Sequence, residues 1–120
     1  MTQNEKDLLL KDLCARLPYG VKVQVDNHCW VDFRKDIPVK LTLDNSYRIL
    51  LGVTLGYVKP YLFPLSSMTE KQKREEYKLM NSNSYTSTVE LPDFYNKNHI
   101  DYRGLIPKGL AKDATGKNIY

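Results

Sequence analysis

Two short runs of alternating apolar and polar side chains constrain the fold of this 120-residue chain more than any other feature. Valine occupies every second position of residues 21–25, and an aliphatic residue occupies every second position of residues 39–43. A period of two indicates a β-strand with one buried and one exposed face. An Asp-Asn pair follows each run, and both residue types tolerate the backbone conformations of tight turns. We therefore predict two successive hairpins, over Val21–Phe33 and Val39–Leu55.

Two helices are predicted from their starting residues. Thr2 and Glu5, and later Thr69 and Gln72, have the spacing of a capping box, in which each side chain satisfies the other residue's backbone N–H. The first box predicts a helix from Gln3 to Arg16 with an apolar stripe that includes Cys14 as a small core residue. The second predicts a charged, mostly solvated helix from Glu70 to about Met80.

The remaining segments are assigned by their turn residues and their polarity. Residues 56–65 contain two prolines, which predicts an edge strand or an extended crossing. Residues 81–90 are polar and predict a loop. In the C-terminal segment, Asp101 is placed to cap a short turn, and residues 106–109 have the Pro and Gly positions of a type I turn. This segment is predicted to dock on the sheet as an irregular strap.

Together these elements predict one α+β domain over residues 1–120. An N-terminal helix packs on a small antiparallel sheet of four or five strands, which could curl into an SH3-like or OB-like barrel. The acidic, polar N-terminus lacks the basic start and long apolar stretch of a signal peptide, and no run approaches the roughly 20 apolar residues of a membrane span. A cytoplasmic location without membrane contact is expected.

The charge of the chain is basic but evenly spread. Its 18 Lys and Arg residues against 14 Asp and Glu residues give a net charge of +4. No segment forms a basic arm of the kind that binds nucleic acid, although a patch could still assemble in three dimensions.

Candidates for metal and nucleophile chemistry lack the required spacing. Cys14, His28, Cys29 and His99 do not form the close ligand pairs that a zinc site uses. Both cysteines are expected to be buried free thiols, and no nucleophile elbow or phosphate-binding loop is present. Neither a cofactor nor an enzymatic activity is predicted.

Three blocks of the sequence resemble those of a protein family. The blocks are "DLLLKDLCARLPYG", "KPYL" with "PLSSMTE", and "DYRGLIPKGLA". They are similar to an uncharacterised family of small proteins from Bacteroides-type gut bacteria and their phages and mobile elements. The resemblance implies a phage-related or mobile-element setting and no particular activity.

Aromatic residues interleaved with basic ones supply the candidate binding residues, which are Tyr57, Lys59, Tyr61, Tyr102 and Arg103. Aromatic platforms beside cations are suited to single-stranded nucleic acid. Half-buried packing explains most tyrosines equally well. The expected function is therefore that of a non-enzymatic accessory or interaction protein of a phage or mobile element, with another protein as its partner. The alternative is a small module that binds single-stranded nucleic acid.

Overall fold

A computed structural model describes residues 1–26, 30 and 32–120. Within these residues the chain forms four α-helices and five short strands, which confirms the α+β class. The helices are α1 (Gln3–Arg16), α2 (Ser46–Leu55), α3 (Glu70–Met80) and α4 (Leu91–Lys97). The strands are β1 (Lys22–Val25), β2 (Val39–Lys40), β3 (Val58–Pro64), β4 (Ile100–Asp101) and β5 (Lys112–Asp113).

Both capping-box helices form as predicted. At α1 the Thr2 hydroxyl accepts from the Glu5 N–H while the Glu5 carboxylate accepts from the Thr2 N–H. Thr69 and Gln72 form the same pair of bonds at α3. No residue of α3 is buried, so this helix is solvated as expected.

The sheet is mixed and open, which corrects the expectation of a purely antiparallel sheet. Strand β1 pairs antiparallel with β2 and β3, whereas β3 pairs parallel with β4 and β5. The strand order β2-β1-β3-β4, with β5 also on β3, makes β3 the central strand.

Strand β3 is therefore not an edge strand, which overturns one of the two alternatives predicted for residues 56–65. The Asp26 N–H donates to the Tyr57 carbonyl at 2.8 Å, which makes that pair a hydrogen-bonded one. Such pairs alternate along an antiparallel ladder, so Pro60, opposite Val23, falls at a non-hydrogen-bonded position. Its missing N–H faces away from β1, and the parallel pairing on the other side begins only at Tyr61.

Neither predicted hairpin is present within the described residues. Strand β1 is present, but its partners are distant segments of the chain, and Trp30, Asp32 and Phe33 lie outside any strand. Asn27, His28, Cys29 and Val31 lie outside the described residues. The second predicted hairpin, Val39–Leu55, is wrong for residues 46–55, which form α2. Ile49 and Val53 of this helix, one turn apart, are fully buried.

Two smaller predictions also require correction. The segment 81–90 is not a loop throughout, because Thr86–Glu90 form a π-helical turn that continues into α4. The Thr86 N–H donates to the Asn83 side chain at 2.9 Å, a local cap that starts this turn. Cys14 is exposed on α1 and is not a core residue.

The core lies between the helices α1 and α2 and one face of the sheet, here called the inner face. The β1 and β3 residues of this face are fully buried, as are Leu9 and Leu13 of α1. The strap predicted after β4 docks on this core through Leu105, Leu110 and Ala111. The opposite face carries the alternate residues of each strand and is largely polar.

Candidate nucleic-acid interface

Four lysines lie on the opposite face of the sheet, and we call this surface the lysine face. Cross-strand register pairs Lys22 with Lys40, and Gln24 with Lys59. Parallel register pairs Tyr61 with Lys112. Side chains of paired residues point to the same side of a sheet, and side chains two apart on one strand do so as well. The four ammonium groups are therefore presented on one surface.

The lysine face collects four of the 18 basic residues of the chain, which are Lys22, Lys40, Lys59 and Lys112. Within the described part of the chain, none of these four lysines forms an ion pair with a carboxylate. An even charge distribution along the sequence thus becomes a local positive surface in the fold.

Three of the five predicted binding residues belong to this face. Lys59 and Tyr61 lie on β3, and Tyr57 directly precedes it with the same alternation. Tyr57 is 38% exposed, whereas the Tyr61 side chain is buried. Tyr57 also contacts Trp30 edge-on, at 6.4 Å between ring centroids. Of the two rings, only that of Tyr57 offers a surface to a ligand.

A groove of about 410 Å³ lies beside the lysine face, next to residues 117–119. The basic side chains of Lys22 and Lys117 line it, together with the acidic Asp36. Asp36 lies 3.2 Å from Arg34, which offsets its charge. The side chains that line the groove thus carry a small net positive charge.

Tyr102 and Arg103 lie elsewhere, in an ionic cluster with α1. Asp12 and Arg16, both fully buried, are joined at 2.9 Å, and the Arg103 Nε donates to the other Asp12 oxygen at 3.1 Å. Arg103 also donates to the Tyr102 hydroxyl at 2.7 Å. One buried carboxylate thus holds two guanidinium groups in place.

This cluster connects α1 to β4 and the strap. Arg16 Nη2 donates to the Ile100 carbonyl at 2.7 Å, and the Asp101 carboxylate accepts from the backbone N–H groups of Leu105 and Ile106 at 2.8 Å each. Asp101 therefore caps the following turn as predicted. Arg103 is bound to Asp12 and Tyr102 in this cluster, so it does not belong to the candidate interface.

The chain segment that ends at Tyr120 covers one corner of the lysine face. The Tyr120 ring stacks on His99 with 3.7 Å between ring centroids and 9° between planes. Its hydroxyl accepts from the Lys22 N–H at 2.9 Å and donates to the Tyr61 carbonyl at 2.7 Å. The Lys22 ammonium donates to the Ile119 carbonyl at 2.8 Å. Three lysines of the face remain without such a contact among the described side chains.

Burial shifts the titration of both stacked rings. It lowers the pKa of His99 to about 4, and the nearby charges of Arg16 and Lys22 act in the same direction. It raises the pKa of Tyr120 to about 12. Both rings are therefore neutral at pH 7, and neither adds charge to the interface.

Sequence reasoning missed Lys22, Lys40 and Lys112 because they are separated by many residues and flanked by ordinary strand patterns. Only their strand register brings them together. Asp12 and Arg16 carried a usable signal, since both occupy the apolar stripe of α1 at a spacing of four.

The described residues contain no cluster of three or more His, Cys, Asp or Glu side chains arranged to hold a metal ion. His28 and Cys29, two of the candidate ligands, lie outside these residues. None of the described helices has the length and apolar character needed to cross a bilayer.

Comparisons with family models, with curated proteins and with solved structures found no match to this chain.

Proposed function

We propose that this protein is a non-enzymatic binding module whose lysine face takes the backbone of a single-stranded nucleic acid. The observation that carries the proposal is the collection of four lysines on one sheet face, with an exposed tyrosine at its edge. Lysines along a sheet contact successive phosphates, and an aromatic ring beside them stacks on a base. No base-specific contact is implied by this arrangement.

The expected affinity is modest. A module with few cations and one exposed ring falls in the non-specific range of dissociation constants, about 10⁻⁴–10⁻⁶ M. Each lysine that neutralises a phosphate of a single strand contributes about 0.7 to the slope of log affinity against log salt. The salt slope therefore counts the lysines that take part.

The test is a titration of a labelled single-stranded oligonucleotide at several salt concentrations. Lys59→Gln combined with Lys112→Gln should weaken binding at low salt and reduce the slope by about 1.4. The matched control is Lys11→Gln combined with Lys71→Gln, which removes the same two charges from exposed positions of α1 and α3. Equal binding by the double variant and the wild type, or no binding at low salt, would refute the proposal.

A second candidate is the role of an accessory protein with a protein partner, in a phage or mobile-element setting. One observation favours it: the outward side of α2 and the turn before it expose a row of large apolar side chains. This row lies away from the lysine face, because α2 covers the inner face of the sheet. Loss of oligonucleotide binding together with retained self-association or protein binding would favour this second role.

A further inference from the structure

Large apolar side chains form an exposed stripe along α2 and the turn before it. Leu43 is 81% exposed and Tyr47 80%, while Leu51 and Leu55 are 42% and 51% exposed. We call these four residues the α2 stripe. At 100° per residue, Leu51 lies about 200° around the helix from the buried Ile49. The stripe is thus the side of α2 that faces away from the core.

The spacing of the α2 stripe defines how another helix could pack on it. Positions four apart form one of the ridges by which helices interdigitate, and two such ridges pack at a crossing angle of about −50°. A second copy of the same stripe supplies the matching ridge. Two copies related by a twofold axis can therefore pack stripe against stripe, and no other part of the chain is needed.

The charges near the α2 stripe favour a second copy over a charged partner. The only charged residue within α2 is Arg48, and Asp32 binds it through two hydrogen bonds of 2.6 and 2.9 Å. The Arg48 guanidinium also lies over the Trp30 and Phe33 rings, at 5.3 and 4.6 Å from their centroids. Its charge is therefore directed toward the chain's own loop, and an ionic partner would find no free cation on the stripe.

Asp44 fixes the orientation of the pair. It stands beside Leu43 at the start of the stripe, and no acidic residue stands at the other end near Leu55. Parallel pairing would bring the two Asp44 carboxylates toward each other, whereas antiparallel pairing places them at opposite ends of the paired helices. The antiparallel twofold arrangement avoids this repulsion.

The exposed area matches a weak dimer. The four side chains expose on the order of 500 Å² per copy, so a symmetric pair buries on the order of 1,000 Å². This value lies at the lower boundary of specific interfaces and within the range of transient ones. We propose that the α2 stripe is a self-association surface that forms a reversible, antiparallel, twofold dimer of this chain.

Sedimentation equilibrium tests the proposal in the absence of nucleic acid. The average mass should rise from 14.0 kDa toward twice that value as the concentration increases from about 5 to about 500 μM. Tyr47→Glu should weaken the association at least tenfold, because it places a charge at the centre of the stripe without disturbing the core. The matched control, Tyr77→Glu on the exposed surface of α3, should associate as the wild type does.

Dilution monitored by backbone amide chemical shifts locates the surface independently. Shifts between 500 and 20 μM should be confined to residues 43–57. A mass that stays at 14.0 kDa at all concentrations would overturn the proposal. An association abolished by Tyr77→Glu, or shifts centred on α3, would overturn it as well. Neither outcome depends on whether the lysine face binds nucleic acid.

Discussion

Asp12 joins two arginines of different elements inside the protein, and its position explains why Arg103 is ordered. Arg16 follows one turn later on α1, whereas Arg103 lies 91 residues away in the strap. A fully buried carboxylate with two guanidinium partners is well compensated, but each guanidinium depends on it. The stability of the junction between α1 and the strap is therefore concentrated in one side chain.

Asp12→Asn should be among the most destabilising substitutions in the chain. It leaves Arg16 buried without a counter-charge, which costs about 3–5 kcal/mol in the free energy of unfolding. The midpoint of urea unfolding at pH 7 measures this loss. The control is Asp7→Asn, an exposed position of the same helix, with an expected change within about 0.5 kcal/mol.

Arg103→Ala should destabilise the protein less than Asp12→Asn does, since it leaves the Asp12–Arg16 pair intact. It should cost about 1–3 kcal/mol, the value of hydrogen bonds to a charged group. If Asp12→Asn were no more harmful than Asp7→Asn, the buried cluster would not be a source of stability.

His99 should make the protein sensitive to mild acid. The folded state holds its pKa at about 4, against an unperturbed value of 6.5, so the unfolded state binds more protons between these values. Stability contributed by neutral His99 is complete above pH 6.5 and is lost as the pH falls toward 4. The loss should reach about 2 kcal/mol, since the ring is only partly buried.

Urea unfolding of the wild type and of His99→Asn between pH 4 and 7 measures this contribution. Asparagine tolerates the backbone of position 99, where φ is 59°, but does not titrate in this range. The difference in stability between the two proteins should shrink as the pH falls. A difference that is constant over this range would show that His99 does not titrate on unfolding.

At the residue scale, the sequence could predict local bonds but not distant partners. The Thr2–Glu5 and Thr69–Gln72 boxes form because both members are three residues apart. Arg103 is held by a hydrogen bond to Asp12, a partner 91 residues away in the sequence. The sequence alone therefore could not distinguish a binding role of Arg103 from a structural one.

Helix α2 shows how an element can be misassigned from alternation alone. Residues 39–43 do alternate, yet only Val39–Lys40 pair as a strand. One helix signal was present, since Gly56 ends the helix in a left-handed conformation with φ of 84°. Burial of Ile49 and Val53 on one side decides in favour of the helix.

Gly52 determines how closely α2 approaches the sheet. A Cβ atom at this position would lie 2.7 Å from Val58 Cγ2 and 3.2 Å from the Trp30 ring. Gly52→Ala should therefore destabilise the protein, by about 1–3 kcal/mol of overpacking, even though alanine favours helix formation by about 1 kcal/mol. The net loss in urea unfolding should be up to about 2 kcal/mol.

Thr54→Ala is the matched control, because it raises helix propensity at an exposed position of the same helix. It should be neutral or slightly stabilising. A Gly52→Ala variant more stable than the wild type would contradict the close contact between α2 and β3.

At the scale of the whole molecule, the lysine face and the α2 stripe lie on opposite sides. The lysine face occupies one side of the sheet, and the α2 stripe lies beyond the helices that cover the other side. The sequence established the α+β class and the docked strap, because these depend on local signals and overall hydrophobicity. It could not establish a central β3, since the parallel partners of that strand come from residues 100–113.

The Tyr120 hydroxyl stands where a direct backbone bond between Lys22 and Tyr61 would otherwise continue the ladder of β1 and β3. Lys22 precedes Tyr120 by 98 residues. A ribosome adds about 5–20 residues per second, so roughly 5–20 seconds separate the synthesis of these two residues. During that interval the hydrogen bonds from Tyr120 to Lys22 and Tyr61 cannot form. The closure of the sheet at Lys22 and Tyr61 therefore cannot precede the synthesis of Tyr120.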